Sequence, residues 1–171
     1  MRMFIASPVR LSREIESSIN GISSTENLRV TEFNNIHLTY LFLGEIDLKE
    51  ANHIQEELTK ISVNKFSTKI SGITAFPDTL HPRVIVMVLE SLYIYNLYNS
   101  IIKLFPEYDR EGRKFMPHIT IARIRKGSAC PDLSNFPVHN GMVEINEVCL
   151  FRSLLTRSGA VYEKVSCRGL L

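Results

Sequence analysis

Two short segments of the chain place a histidine and a threonine two residues apart within a run of apolar residues. The first segment is "NIHLTYLFLGEI", with His37 and Thr39, and the second is "MPHITIARI", with His118 and Thr120. Residues i and i+2 of a β-strand point to the same face, about 7 Å apart, so each segment would present an imidazole and a hydroxyl together. The repetition suggests that both segments contribute to one site.

Two histidines that face one small substrate form an acid/base pair. An unperturbed imidazole titrates near pH ~6.5 and can accept or donate a proton at neutral pH. Phosphodiester cleavage needs both roles, because one group deprotonates the attacking oxygen and the other protonates the leaving oxygen. Hydroxyls and a cation stabilise the negative phosphate oxygens. Thr39 and Thr120 would supply the hydroxyls, and Arg123 is the candidate cation.

Strand periodicity also predicts which residues face the core. The expected core residues of the two strands are Leu38, Tyr40, Phe42, Ile119 and Ile121. Arg123 is five residues after His118, an odd number, so in a regular strand its side chain would point to the face opposite the site. A bulge or a strand end near Ala122 would be needed to turn Arg123 towards the phosphate.

The first half of the sequence predicts a strand, a helix and the strand that carries the first histidine. The opening "MRMFIAS" reads as a strand closed by Ser7 and Pro8. A helical stripe ending around Gly21 consists of Leu11, Ile15, Ile19 and Ile22. After "LRVTEF" and "IHLTYLFLG", Asp47 with Glu50 three residues later resembles the capping box of a second helix.

The second half of the sequence repeats this order of elements. "KFSTKISGI" and the β-branched "RVIVMVLE" predict two strands, the latter central in its sheet. A third helix is expected from about Leu92 to Phe105, stopped by Pro106, and "FMPHITIARI" follows as a strand. "MVEINEVCLFRS" and "AVYEKVSC" predict a strand on each side of the turn "LTRSG".

The matching order of elements around the two motifs predicts an internal duplication. We expect an α+β fold with two pseudo-symmetric lobes around a central cleft, each lobe an antiparallel sheet with helices on its outer face. Residues 1–171 would form a single bilobal domain, because the chain has the length of one ordinary domain.

Composition excludes several classes of protein. Hydrophobic residues make up 44% and charged residues 22% of the chain, which is typical of a globular protein and not of a disordered one. No apolar run approaches the ~20 residues of a membrane span, and the N-terminus has no signal-peptide pattern, so we expect a cytoplasmic protein without membrane contact. A net charge of +2 is too small for a large duplex-binding surface.

The cysteines and the remaining histidines are expected to have no catalytic role. Cys130, Cys149 and Cys167 are odd in number and lack CxxC spacing, so we expect free, half-buried thiols and no disulfide framework. No HExxH or His/Asp cluster indicates a metal site. The expected positions of the other histidines are a helix surface for His53, a turn for His81 and a loop for His139.

The paired His-x-Thr motifs resemble those of the two-histidine phosphoesterase superfamily, and in particular its LigT-like branch of RNA 2′,3′-cyclic phosphodiesterases. Further stretches agree with this resemblance along essentially the full chain. They are "RMFIA", "IHLTYLFLGEI", "ISGITAFPDTLHPRVIVMVL", "FMPHITIARI" and "LFRSLLTRSGAVYEKV". One His-x-Thr motif would be weak support, whereas two with these flanking patterns are specific.

The resemblance implies an enzyme that needs no metal or other cofactor and opens the 2′,3′-cyclic phosphate of an RNA end or a cyclic nucleotide, leaving a 2′-phosphate. Its site residues would be the catalytic His37 and His118 and the substrate-binding Thr39, Thr120 and Arg123. His118 is assigned as the base and His37 as the acid. The chain departs from the family in having no tryptophan before the first motif and in having Tyr40 where an aliphatic residue is usual.

Alternatives to this function remain open. Some members of the family join or cleave 2′–5′ RNA linkages, and a non-catalytic protein that binds RNA ends would use the same groove. Phe76, next to Pro77, is expected to be a packing residue, although a loop aromatic could also stack on a base. We expect the chain to act as a monomer.

Overall fold

The computed structural model describes residues 1–109, 114–136, 141–156 and 159–171. The described strands are β1 (Arg2–Leu11), β2 (Leu28–Val30), β3 (His37–Glu45), β4 (Phe66–Phe76), β5 (Val84–Glu90), β6 (His118–Ile124), β7 (Met142–Ile145), β8 (Glu147–Thr156) and β9 (Gly159–Gly169). The described helices are α1 (Arg13–Gly21), α2 (Leu48–Leu58) and α3 (Leu92–Leu104). None of them is long and apolar enough to cross a membrane.

All described strand pairs are antiparallel and form one nine-stranded sheet, in which β7 separates two groups of four strands that we call the first and the second sheet. The first sheet has the order β3-β1-β8-β9, and the second has the order β2-β6-β5-β4. The sheets are joined by β7, which pairs with β1 and β4, and by a contact between Leu38 of β3 and Ile119 of β6. This arrangement confirms the predicted α+β class, and the two sheets are the two predicted lobes.

One apolar core lies behind both sheets. The buried residues that the helices contribute to it are Ile15, Ile19, Ala51, Ile54, Leu58, Ile94, Leu97 and Ile101. They pack in the same cluster as Leu38 and Tyr40 of β3 and Ile119 and Ile121 of β6. Because the intervening residues of β3 and β6 face the cleft, the helices cover the opposite face of the sheets, as predicted.

The helix starts follow from local capping. Asp47 Oδ1 accepts a hydrogen bond from the Glu50 amide at 2.8 Å, and Ser91 Oγ accepts one from the Tyr93 amide at 3.2 Å. The capping box predicted for α2 is therefore half formed. The Glu50 carboxylate accepts a hydrogen bond from the Tyr108 hydroxyl and thereby ties α2 to the segment after α3.

Two predicted strand boundaries were wrong, each because a strand changes partner. The first strand does not end at Pro8, which lies opposite His37 at the end of the β1–β3 ladder. It continues to Leu11 because Val9 and the residues after it pair with β7. The predicted strand "MVEINEVCLFRS" divides at Asn146 into β7 and β8, which both pair with β1 but have different second neighbours, β4 for β7 and β9 for β8. The tip of the turn "LTRSG", at 157–158, lies outside the described residues.

The prediction that all three cysteines are free was also wrong. Cys149 and Cys167 are directly opposite each other in the β8–β9 ladder, with their Cα atoms 4.0 Å apart, and they form a disulfide. Cys130 is free and half-buried. The sequence spacing of the pair gives no sign of this bond, because the register of the hairpin alone brings the two cysteines together.

Candidate active site

A cleft of about 600 Å³ runs between β3 and β6, where the two sheets meet. All five site residues predicted from the sequence line it, namely His37, Thr39, His118, Thr120 and Arg123. β3 and β6 are antiparallel and pair at Leu38 and Ile119, so the two His-x-Thr motifs lie side by side. From this pair, the two strands run in opposite directions. The histidines therefore stand at the middle of the cleft.

The two imidazoles are oriented in the same way. His37 Nδ1 lies 2.8 Å from the carbonyl oxygen of Asn35, and His118 Nδ1 lies 2.7 Å from that of Met116, two residues earlier in each case. A carbonyl oxygen can only accept, so Nδ1 must donate its proton in both rings. Nε2 is then the nitrogen of each histidine that exchanges a proton with a substrate.

His37 is enclosed by aromatic rings. Its ring centroid lies 4.9 Å from that of Tyr162, 5.1 Å from that of Phe4 and 5.9 Å from that of Phe151. Desolvation by this environment lowers the pKa of His37, and repulsion from His118 lowers it further, while the bond to Asn35 opposes the shift. His37 therefore favours the neutral form.

His118 has a more open environment. Its ring meets Phe76 edge-on, with centroids 4.7 Å apart, and desolvation lowers the pKa of His118 while the bond to Met116 opposes that shift. Phe76 is half-buried and does not line the cleft, so its contact with His118 agrees with the packing role expected from the sequence.

Arg123 faces the cleft because β6 contains a bulge. In the ladder with β5, Thr120 and Ala122 have consecutive partners, so Ile121 is an extra residue. Ile121 and Ala122 are both fully buried, and the alternation shifts by one position after them. This is the irregularity near Ala122 that the sequence required for Arg123 to reach a phosphate.

An equivalent bulge in β3 corrects the expectation for Phe42. In the ladder with β1, Thr39 and Leu41 have consecutive partners, and Tyr40 is the extra residue. Tyr40 and Leu41 are both buried, whereas Phe42 is 57% exposed and lines the cleft. The assignment of Phe42 to the core was wrong, because strict alternation cannot be carried across a bulge.

Tyr162 of β9 is a cleft residue that the sequence did not single out. Its hydroxyl accepts a hydrogen bond from Arg123 Nη2 at 3.4 Å, and its ring lies against His37. The alternating strand "AVYEKV" predicted only that Tyr162 shares a face with its i±2 neighbours. Only the folded sheets show that Tyr162 lies beside His37 and Arg123.

The other described histidines and the possible metal ligands lie away from the cleft. His53 and His81 are exposed on α2 and in a turn, as expected, and His139 lies outside the described residues. Among the residues that the structure describes, the one group of three possible metal ligands consists of Glu147, Cys149 and Cys167, none of which lines the cleft. The two sulfur atoms of this group are bonded to each other.

Comparison with known proteins agrees with this geometry. Residues 7–86, which include the first His-x-Thr motif, match the family described as LigT like Phosphoesterase. The RNA 2′,3′-cyclic phosphodiesterase of Archaeoglobus fulgidus is 26% identical over 172 residues, which cover 95% of this chain and 97% of the relative.

Solved structures share the fold over nearly the whole chain. The structure of TT0787 of Thermus thermophilus superposes with a TM-score of 0.81 at 23% identity, covering 99% of this chain and 97% of that one. E. coli LigT complexed with 3′-AMP gives a TM-score of 0.75 at 23% identity, with the same coverage. The family match over residues 7–86 and the relatives named RNA 2′,3′-cyclic phosphodiesterase show that the chain is similar to LigT-like phosphoesterases, and the solved structures show that it shares their fold.

Proposed function

We propose that this protein hydrolyses the 2′,3′-cyclic phosphate of an RNA end or a nucleotide to a 2′-phosphate. The observation that carries the proposal is the pair of imidazoles in one cleft, each with its Nδ1 held by a backbone carbonyl, so that Nε2 exchanges the proton, and each accompanied by a threonine. Relatives that match nearly the full chain are named RNA 2′,3′-cyclic phosphodiesterases, which supports the same substrate class.

The proposed reaction is an in-line displacement at phosphorus. A water oxygen forms a bond to phosphorus while one imidazole Nε2 accepts the proton of that water. The bond from phosphorus to the 3′ oxygen breaks, and the other imidazole donates its proton to that oxygen. One histidine must start neutral and the other protonated, and the two exchange states in each turnover.

The surroundings of the two rings support an assignment of these roles. His37 is enclosed by three aromatic rings and repelled by a charge on His118, so the first proton bound by the pair is expected on His118. We therefore propose His37 as the base and His118 as the acid, the reverse of the assignment drawn from the sequence.

Thr39, Thr120 and Arg123 would bind the non-bridging phosphate oxygens. Both threonines share the cleft face with their histidines, and the bulge in β6 gives Arg123 the same face. Donors held in place where charge develops stabilise the transition state more than the ground state. This role for the three residues rests on their position and on the family resemblance.

Phosphorus NMR tests the proposed activity directly. An RNA oligomer ending in a 2′,3′-cyclic phosphate would be incubated with the protein in excess EDTA, and we expect the cyclic resonance to be replaced by that of a 2′-phosphate. A 3′-phosphate product, or turnover that EDTA abolishes, would contradict the proposal. An oligomer joined through a 2′–5′ bond when a 5′-hydroxyl acceptor is added would indicate ligation instead. Binding without turnover would identify a protein that only recognises RNA ends.

We further propose that residues 1–171 act as a single bilobal domain, as a monomer and in the cytoplasm. The shared core behind both sheets supports a single domain. A disulfide such as Cys149–Cys167 is rare in reducing compartments but does occur in some intracellular proteins, notably those of hyperthermophiles. Fractionation of cells after rapid thiol alkylation tests the location and the redox state together.

A further inference from the structure

Phe42 and Arg123 occupy equivalent positions in the two halves of the chain. Each is the fifth residue after its catalytic histidine, and each follows a bulge that turns it towards the cleft. The burial patterns of 37–43 and 118–124 are identical residue by residue. The same backbone geometry therefore presents a phenyl ring from one lobe and a guanidinium from the other.

Phe42 offers the largest aromatic surface in the described part of the cleft. It is 57% exposed, whereas the nearby Phe4 ring is 3% exposed. Tyr162, the other aromatic residue that lines the cleft, already contacts His37 and Arg123. An apolar ring that stays exposed inside a polar site has surface available for a ligand.

Phe42 lies where the nucleoside of a substrate could reach it while the phosphate of that substrate lies at the histidines. The rings of His37 and Phe42 flank the same Phe4 ring, at centroid distances of 5.1 and 6.2 Å. Because β3 and β6 run in opposite directions from the histidines, Phe42 lies along one arm of the cleft and Arg123 along the other. A group attached to the reacting phosphate can reach Phe42 without displacing Arg123.

We propose that Phe42 is the platform on which the base of the terminal nucleotide stacks. This inference rests on the proposed function, because it requires the cyclic phosphate to lie between the two histidines. A phenyl ring has no hydrogen-bonding group, so it accepts every base through its π-face and does not read the base edge. Phe42 thus supplies affinity for a nucleotide over a base-free sugar phosphate, with little preference among bases.

A substrate pair separates base stacking from every other role of Phe42. The nucleotide substrate is adenosine 2′,3′-cyclic phosphate, and the base-free substrate is 1-O-methylribose 2,3-cyclic phosphate. Stacking on an aromatic side chain is worth a factor of about 5 to 160 per base. We expect Phe42→Ala to raise KM by such a factor for the nucleotide, leave the base-free substrate unchanged, and retain kcat for both.

Two further variants complete the experiment. Phe42→Tyr keeps the ring and should retain the KM of the unaltered protein for the nucleotide. Phe33→Ala makes the same truncation at a partly exposed phenylalanine that does not line the cleft, and it should change neither substrate.

Each contrary result has a distinct meaning. If Phe42→Ala raises KM equally for both substrates, Phe42 maintains the shape of the cleft. If Phe42→Ala changes KM for neither substrate, Phe42 does not touch the substrate. Both results would overturn the base platform while the proposed function stands. If the unaltered protein turns over neither substrate, the proposed function fails and the base platform fails with it.

Discussion

The hydroxyl of Tyr162 accepts a hydrogen bond from Nη2 of Arg123 across the cleft, over 3.4 Å. Tyr162 belongs to β9 of the first sheet and Arg123 to β6 of the second, so the contact links the two lobes beside His37. A distance of 3.4 Å lies beyond the usual range of such bonds. So long a contact does not commit the guanidinium to the phenol, as the proposed role of Arg123 in phosphate binding requires.

The first prediction concerns the two partners of this bond. Removing a donor that stabilises developing charge typically lowers kcat by about 10²–10³, so we expect a loss of that size for Arg123→Ala. Tyr162→Phe removes only a long acceptor contact, worth about 0.5–1.5 kcal/mol, and should lower kcat/KM by about 10-fold or less. Steady-state kinetics with a cyclic nucleotide measure both effects.

Arg125→Ala is the matched control for the arginine variant. Arg125 is an exposed arginine two residues further along the chain, and it does not line the cleft. Its loss should leave kcat/KM within a factor of about two, because a distant surface charge is screened by salt. Comparable losses for Arg123→Ala and Arg125→Ala would refute a specific role for Arg123 in phosphate binding.

The second prediction is a pH profile displaced to the acid side. Desolvation lowers the pKa of both His37 and His118 below the ordinary value of 6.5. Since activity needs one neutral and one protonated imidazole, kcat/KM should be bell-shaped with its maximum below that value. It falls at higher pH because the acid loses its proton, and at lower pH because the base gains one. A maximum above about pH 7 would contradict this account of the site.

The third prediction separates the acid from the base. A substrate with sulfur in place of the 3′ oxygen has a leaving group that needs no protonation. If His118 is the acid, His118→Ala should recover on this substrate much of the factor of about 10²–10⁴ that a general acid contributes. His37→Ala should be equally impaired on the sulfur and oxygen substrates. If only His37→Ala recovers activity on the sulfur substrate, His37 is the acid and His118 is the base.

The fourth prediction concerns the number of free thiols. In denaturant and without reductant, only one of the three cysteines should react with a thiol reagent. Cys149 and Cys167 form a disulfide, whereas Cys130 is free. Titration before and after reduction should therefore count one thiol and then three. Three thiols in the unreduced protein, purified under air and protected from reductant, would show that the β8–β9 hairpin closes without the bond.

The sequence predicted the parts of the fold that depend on local patterns. The apolar stripe of α1, the Asp47 cap of α2 and the central position of β5 follow from periodicity and capping, which need only neighbouring residues. The convergence of His37 and His118 followed from the repeat, because two equivalent strands in a pseudo-symmetric pair meet at the axis.

The features that the sequence did not predict depend on register. Phe42 was assigned to the core because a bulge at Tyr40 leaves no mark in an apolar run. The aromatic enclosure of His37 joins Phe4, Phe151 and Tyr162 from three strands, which is a property of the β1–β8–β9 ladders and not of any one segment. The same ladders decide that Cys149 meets Cys167.

The most direct test of the central claim is a kinetic cycle of His37→Ala, His118→Ala and the double variant on one RNA 2′,3′-cyclic phosphate. If both imidazoles act in the same chemical step, each single variant should lose about 10²–10⁴ in kcat, and the double variant should lose far less than the product of the two losses. Circular dichroism and binding of the 2′-phosphate product confirm that the variants fold and keep the cleft. A single variant that retains turnover within a few-fold of the unaltered protein would contradict two-histidine catalysis.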